Sequence, residues 1–200
     1  MTANKSIDFF DAQFRRELKD AAVKLNPFES VAIPYLRGDV LDFGCGLGNL
    51  AIAAAQAGCK VTALDASPAA IEHVRLRAAA EGAGVSASVA DLRDYAISGD
   101  YDSIVCIGLL MFFDCATAFK VLSQLQSHVR PGGVAVINVL VEGTTYMDMF
   151  EPSSHCLFAP SEMLDRFKGW RIEHSEFSDF DAPQATLKRF STIVAHKPAV

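Results

Sequence analysis

Val40-Leu41-Asp42-Phe43-Gly44-Cys45-Gly46-Leu47-Gly48-Asn49-Leu50-Ala51 is the stretch that decides the fold. Val40 to Phe43 is a short apolar run with the character of a buried strand. Asn49 to Ala57 is alanine-rich and closes on Gly58, which suits a helix whose end takes the left-handed conformation. Between them the glycines allow a tight turn and let backbone approach a ligand at a helix N-terminus. The same spacing also serves a plain strand-to-helix turn, so the loop is decided by what surrounds it.

Downstream, strand-like and helix-like runs alternate, the mark of a parallel sheet covered on both faces. Lys60 to Asp65 reads as a second strand. Ser67 and Pro68 start a helix, a capping oxygen followed by a residue with no N–H to leave unsatisfied, and Ile71, Val74 and Ala78 share one face of it as far as Gly82. Val85 to Ala90 and Tyr101 to Ile107 read as strands three and four. Asp114 caps a helix carrying Ala118, Val121, Leu122, Leu125 and Val129 at helical spacing, after which Pro131, Gly132 and Gly133 predict a turn into strand five, Val134 to Val139.

The pattern then changes. Ser161 to Lys168 is a short helix stopped by Gly169, and two strand-like runs, Trp170 to Phe177 and Leu187 to His196, follow with no long helix between them, which predicts a closing antiparallel pair. Ahead of the sheet, Ile7 to Leu25 and Pro27 to Tyr35 are helix-like. The expected division is residues 1–38 as N-terminal helices and 39–200 as the main domain, in one compact unit.

Composition narrows the function. Half of the residues are hydrophobic and 21% charged, as in a globular chain. Eighteen Lys plus Arg against 24 Asp plus Glu give a formal charge of −6, which opposes diffuse attraction to nucleic acid and favours a small-molecule partner. Ile104 to Phe113 is too short to span a membrane, and MTANKSIDFF lacks the apolar core of a signal peptide, so a cytoplasmic protein is expected. The five cysteines, Cys45, Cys59, Cys106, Cys115 and Cys156, form no C-x-x-C pair; they read as reduced, mostly buried thiols, and no metal site is expected.

Asp65 closes strand two about twenty residues beyond the first glycine, where a carboxylate can accept both ribose hydroxyls of an adenosine, or simply cap the next helix. Asp91-Leu92 closes strand three on the same sheet edge. In this order and spacing VLDFGCGLGNLA, VTALDASP, VADL, YDSIVCIGLLMF and VRPGGVAVINVL, over Asp39 to Leu140, resemble the motif series of class I S-adenosylmethionine (SAM)-dependent methyltransferases. The resemblance implies a single doubly wound, Rossmann-like α/β domain with a mainly parallel seven-stranded sheet and an antiparallel C-terminal strand. It implies SAM as cofactor. Asp42 would lie near the methionine ammonium, with Gly44, Cys45 and Gly46 against the amino-acid moiety. Asp65 and Ala66 would meet the ribose, Asp91 and Leu92 the adenine, and Ile107 and Gly108 the sulfonium.

Within that family the C-terminal half is similar to tellurite-resistance-type methyltransferases, through Leu109 to Phe113, the stretch from Phe158-Ala159 to Gly169-Trp170, and Arg189 to Lys197. Those enzymes carry a His-Arg pair in the last hairpin, where this chain reads Asp179-Phe180-Asp181-Ala182-Pro183. Methyl transfer depends mostly on alignment, and a general base is needed only for an acceptor that loses its proton early. His155 and Cys156 are the polar candidates nearest the expected acceptor side, against a loop histidine and a buried cysteine. Phe9, Phe10 and Phe14 with Arg15 and Arg16 make an amphipathic helix that closes as a lid or packs on the sheet. Met111, Phe112 and Phe113 wall the acceptor pocket or join the core. The expected acceptor is a small molecule, a thiol or a chalcogen or metalloid compound, with a monomer or homodimer as the assembly. A SAM-binding module without catalysis and an NAD-dependent oxidoreductase are the alternatives.

Overall fold

The computed structural model describes residues 24–152 and 154–199. Seven strands, β1 (Asp39–Phe43), β2 (Lys60–Asp65), β3 (Val85–Val89), β4 (Tyr101–Ile107), β5 (Val129–Leu140), β6 (Arg171–Ala182) and β7 (Thr186–His196), form one sheet in the order β3-β2-β1-β4-β5-β7-β6. β1 to β5 pair in parallel, and β7 runs antiparallel to both neighbours. The chain order reverses at β1 and β4, which leaves a crevice beyond their carboxyl ends, the place where such sheets bind ligands.

Helices α1 (Pro27–Ala32), α2 (Asn49–Gln56) and α3 (Pro68–Glu81) cover one face, and α4 (Cys115–Ser127) and α5 (Glu162–Arg166) cover the other. Their starts follow capping chemistry. The Asn26 side chain accepts the Glu29 N–H at 2.9 Å while Glu29 accepts the Asn26 N–H at 2.7 Å. Ser67 Oγ accepts the Ala70 N–H, and Asp114 accepts the Thr117 N–H. The helix expected over Pro27 to Tyr35 tightens into a 3-10 turn at Ile33–Tyr35, because Pro34 has no N–H to continue the ladder.

Strand five departs from the expected turn. β5 runs straight through Pro131-Gly132-Gly133, and its pairing with β4 jumps from Tyr101↔Val129 to Ser103↔Val134. The extra residues bulge out instead of turning: Gly132 takes φ +75°, and a Cβ on Gly133 would lie 2.8 Å from the Arg130 and Asp102 carbonyl oxygens. β6 is also longer than its apolar run. It continues through the acidic Asp179 and Asp181 to pair Ala182 with Thr186, because an edge strand holds its charges in solvent.

The expectation of reduced cysteines fails for two of the five. Cys115, in the first turn of α4, and Cys156 form a disulfide with Cα atoms 4.8 Å apart, whereas Cys45, Cys59 and Cys106 are free and buried. The partners are 41 residues apart in sequence and meet because the chain after β5 folds back, Cys156 N donating to Met111 O at 3.0 Å. No local spacing announces that return.

Candidate cofactor and acceptor site

The site is built from the carboxyl ends of β1, β2 and β4. Gly44 N and Cys45 N both donate to Leu64 O, at 2.8 and 2.9 Å, which lays the glycine loop across the end of β2. Gly44, Gly46 and Gly48 have φ of +91°, +50° and +72°, and a Cβ on Gly44 would come within 3.0 Å of the Leu109 side chain. Both reasons require glycine: backbone handedness and close approach. Asp65 Oδ2 accepts the Gly46 N–H and Oδ1 accepts the Ser67 N–H, each at 2.9 Å. Ala66, half-buried, links that carboxylate to the Ser67 cap.

Asp42 is 4% exposed, and its Oδ2 is buried without a hydrogen-bond partner among the described residues. Burial, reinforced by the nearby charges of Glu29 and Asp65, pushes its pKa from 3.8 up to about 8. A buried carboxylate among other carboxylates is a site waiting for a cation. Beside it Cys45 is buried, its thiol held above the usual range by the same desolvation and by Asp42, so it supplies backbone and volume in place of a nucleophile.

The remaining expected residues fall on the same sheet edge in different states. Asp91 is exposed and bound to Arg93, which donates from Nε at 2.9 Å and from its terminal nitrogen at 2.6 Å and holds the carboxyl below its usual value; Leu92 is buried. Ile107 ends β4 half-buried, and Gly108, φ +67°, faces open space where a Cβ would sit.

On the acceptor side, His155 stacks on Phe150 with ring centroids 5.0 Å apart. Cys156 is 1% exposed with its sulfur in the disulfide, so it has no thiol to offer, and the buried-cysteine reading is correct for it. Met111, Phe112 and Phe113 are buried too: the first two pack with Leu140, Met149 and Phe150, and Phe113 joins the larger core, so the core reading holds for all three. The lid expected around Phe9, Phe10 and Phe14 lies outside the described residues.

Six residues on this side of the sheet were not anticipated. Glu29 reaches Asp42 electrostatically from α1. Phe28 of α1, Phe180 of β6 and Phe190 of β7 form a trio with centroids 4.7–5.8 Å apart. Asn138 stands fully buried in the otherwise apolar core of β5, a break in Val-Ile-Asn-Val-Leu that was visible in the sequence. Thr192 pairs with it across β7.

An adenosine-bearing sulfonium amino acid fits this arrangement. The fit rests on the buried Asp42 oxygen, which has no hydrogen-bond partner among the described residues and suits an ammonium. Among the described residues, no group of three or more His, Cys, Asp or Glu could hold a metal ion, and no helix is long and apolar enough to cross a membrane.

Residues 40–133 match the family described as "Methyltransferase domain". The chain is 30% identical over 165 residues to "Hemagglutinin 1" of Eikenella corrodens, covering 79% of this chain and 54% of that protein. It is 30% identical over 122 residues to "Ubiquinone biosynthesis O-methyltransferase" of Xanthomonas euvesicatoria pv. vesicatoria, covering 58% and 50%. The chain thus spans about half the length of these curated relatives. Among solved structures, TehB from Haemophilus influenzae superposes with TM-score 0.77 at 19% identity, over 96% of this chain and 67% of that one. N-methyltransferase NodS from Bradyrhizobium japonicum, in complex with S-adenosylhomocysteine, superposes with TM-score 0.72 at 14% identity, over 98% and 100%. The solved structures share the fold, and the family match falls on its core, residues 40–133.

Proposed function

We propose that the chain transfers a methyl group from SAM to a small-molecule acceptor. The observation that carries this reading is the buried, unpartnered carboxylate of Asp42 at the mouth of the glycine loop. The N-terminus of α2 alone would suit the pyrophosphate of NAD. The charges of Glu29 and Asp65, close enough to raise the Asp42 pKa, oppose an anion at the loop, and the Asp42 carboxyl can give up its proton to pair with an arriving ammonium, which argues against the oxidoreductase reading.

Bound here, SAM supplies a methyl on a sulfonium that departs as a neutral thioether. In this reading Asp42 would hold the ammonium, Gly44, Cys45 and Gly46 the amino-acid backbone, Asp65 and Ala66 the ribose, Asp91 and Leu92 the adenine edge, and Ile107 with Gly108 the neighbourhood of the sulfonium. The chain's task is alignment and exclusion of water, which suits a site poor in bases. In this proposal the lid is the N-terminal segment around Phe9, Phe10 and Phe14, while α1 packs on the sheet of the main domain.

A thiol or chalcogen acceptor is the finer proposal, supported by the apolar character of the segments after β4 and β5. The tellurite-type His-Arg pair has no counterpart in the last hairpin, where Arg189 instead grips Asp179 through two hydrogen bonds of 2.8 Å. A SAM-binding module without turnover is the second reading, favoured by the loss of the Cys156 thiol to the disulfide. Turnover with SAM on a panel of thiols, hydroxyls, amines and metalloid oxyanions separates the two: methylation of any member supports the enzyme, and binding without methylation of any supports the module.

A further inference from the structure

Asn138 is 0% exposed. Its Nδ2 donates to Thr192 Oγ1 at 2.9 Å, and its Oδ1 is buried with no hydrogen-bond partner among the described residues. Every other residue from Val134 to Leu140 is apolar and equally buried, so nothing in the packing of β5 calls for an amide there. Buried polar atoms in folded chains are almost always paired, so an unpartnered one marks a place where a bound group could be held.

Register gives the direction. Asp42 pairs with Val105, Val105 with Val136, and Val136 with Val194, and the last three pack beneath Ala32 of α1. One step further along the strands, on that same face, Ile107, Asn138 and Thr192 form the next row. The row beyond contains Leu140 and Phe190, and Phe190 belongs to the aromatic trio with Phe28 and Phe180. The two unpartnered buried oxygens of Asp42 and Asn138 therefore share one face at the carboxyl ends of the strands. They are two strands and two residues apart, roughly 12 Å from strand spacing and rise. Ile107 lies between them, and the half-buried trio closes the far side.

We propose that Asn138 is the polar anchor of the methyl-acceptor site. Its amide oxygen, oriented by Thr192, accepts a hydrogen bond from an O–H or N–H that the acceptor carries beside its methyl-accepting atom, and the apolar body of the acceptor rests on Phe28, Phe180 and Phe190. The acceptor class is thus a small apolar or aromatic molecule with a hydroxyl or amine neighbouring the reacting atom. This inference rests on the methyltransferase reading above.

Two matched pairs of probe acceptors test it: 2-mercaptophenol against thiophenol, and catechol against 2-methoxyphenol, each with saturating SAM. The wild type should favour the member with the extra donor by 10-fold or more in kcat/KM. Asn138→Leu, close in volume, should lose that preference mainly through KM while binding S-adenosylhomocysteine within twofold of wild type. Thr192→Val, which leaves the amide but removes its support, should show an intermediate loss and serves if Asn138→Leu does not fold. A wild type that binds S-adenosylhomocysteine but shows no preference, or turns over no probe, overturns the anchor and leaves the cofactor reading standing. So does a folded Asn138→Leu that keeps the preference. Failure to bind S-adenosylhomocysteine at all removes the underlying reading instead.

Discussion

Asp65 accepts the Gly46 N–H at 2.9 Å, so the carboxylate proposed to meet the ribose also fixes the glycine loop proposed to receive the rest of the cofactor. Its other oxygen accepts the Ser67 N–H at the start of α3. One side chain thus sets the relation between loop, strand and helix before any ligand arrives.

Asp65→Ala should therefore lose cofactor affinity by about 2–4 kcal/mol, the scale of charge-assisted hydrogen bonds to two hydroxyls. Calorimetric titration of S-adenosylhomocysteine and a thermal unfolding curve on the same sample check this. A variant that folds and binds normally would leave Asp65 a purely structural role.

Asp42 gives a pH prediction with a definite sign. Its pKa is raised from 3.8 to about 8, so between those values the folded chain holds a proton that the unfolded chain has released. Stability contributed by this group is accordingly lost as pH rises from about 4 to about 8. Asp42→Asn should match the wild type near pH 4 and become increasingly the more stable of the two as pH rises toward 8, read from urea unfolding. The same proton reports on binding. At pH 7 an arriving ammonium should ionise Asp42, and about one proton should be released per S-adenosylhomocysteine bound, measured as the dependence of binding heat on buffer ionisation enthalpy. Asp42→Asn should release none.

The Cys115–Cys156 bridge closes a 41-residue separation, worth about 4 kcal/mol by loop entropy. Replacing Cys115 with Ser should lower stability by that order and speed hydrogen exchange at the Cys156 amide, which is bonded to Met111 O. Affinity for S-adenosylhomocysteine should stay within about twofold, because the bridge ties the acceptor-side segment to α4 and touches none of the cofactor residues. A large fall in affinity would place the bridge in the cofactor site.

What was legible in the sequence is what local chemistry enforces. The alternation of strands and helices, the glycine loop, the Ser67-Pro68 and Asp114 helix starts, and the reversed strand at Leu187 to His196 all depend on residues close together in the chain, and all appear in the fold. The Pro131-Gly132-Gly133 bulge was misread because glycine and proline serve bulges and turns alike, and only pairing with β4 tells them apart. The disulfide, the reach of Glu29 to Asp42 and the aromatic trio join residues remote in sequence, so periodicity carries no trace of them. Asn138 is intermediate: a polar residue in an apolar strand was visible, but its unpartnered oxygen emerges only from the packed sheet.

In the proposed function the Asp42 to Asp65 end of the sheet receives a cationic adenosyl cofactor. Titrating the full chain at pH 7 with S-adenosylhomocysteine and, separately, with NAD tests it most directly. Saturable binding of S-adenosylhomocysteine in the micromolar range with no detectable heat from NAD is the expected result; binding of NAD alone, or of both ligands equally, would contradict it.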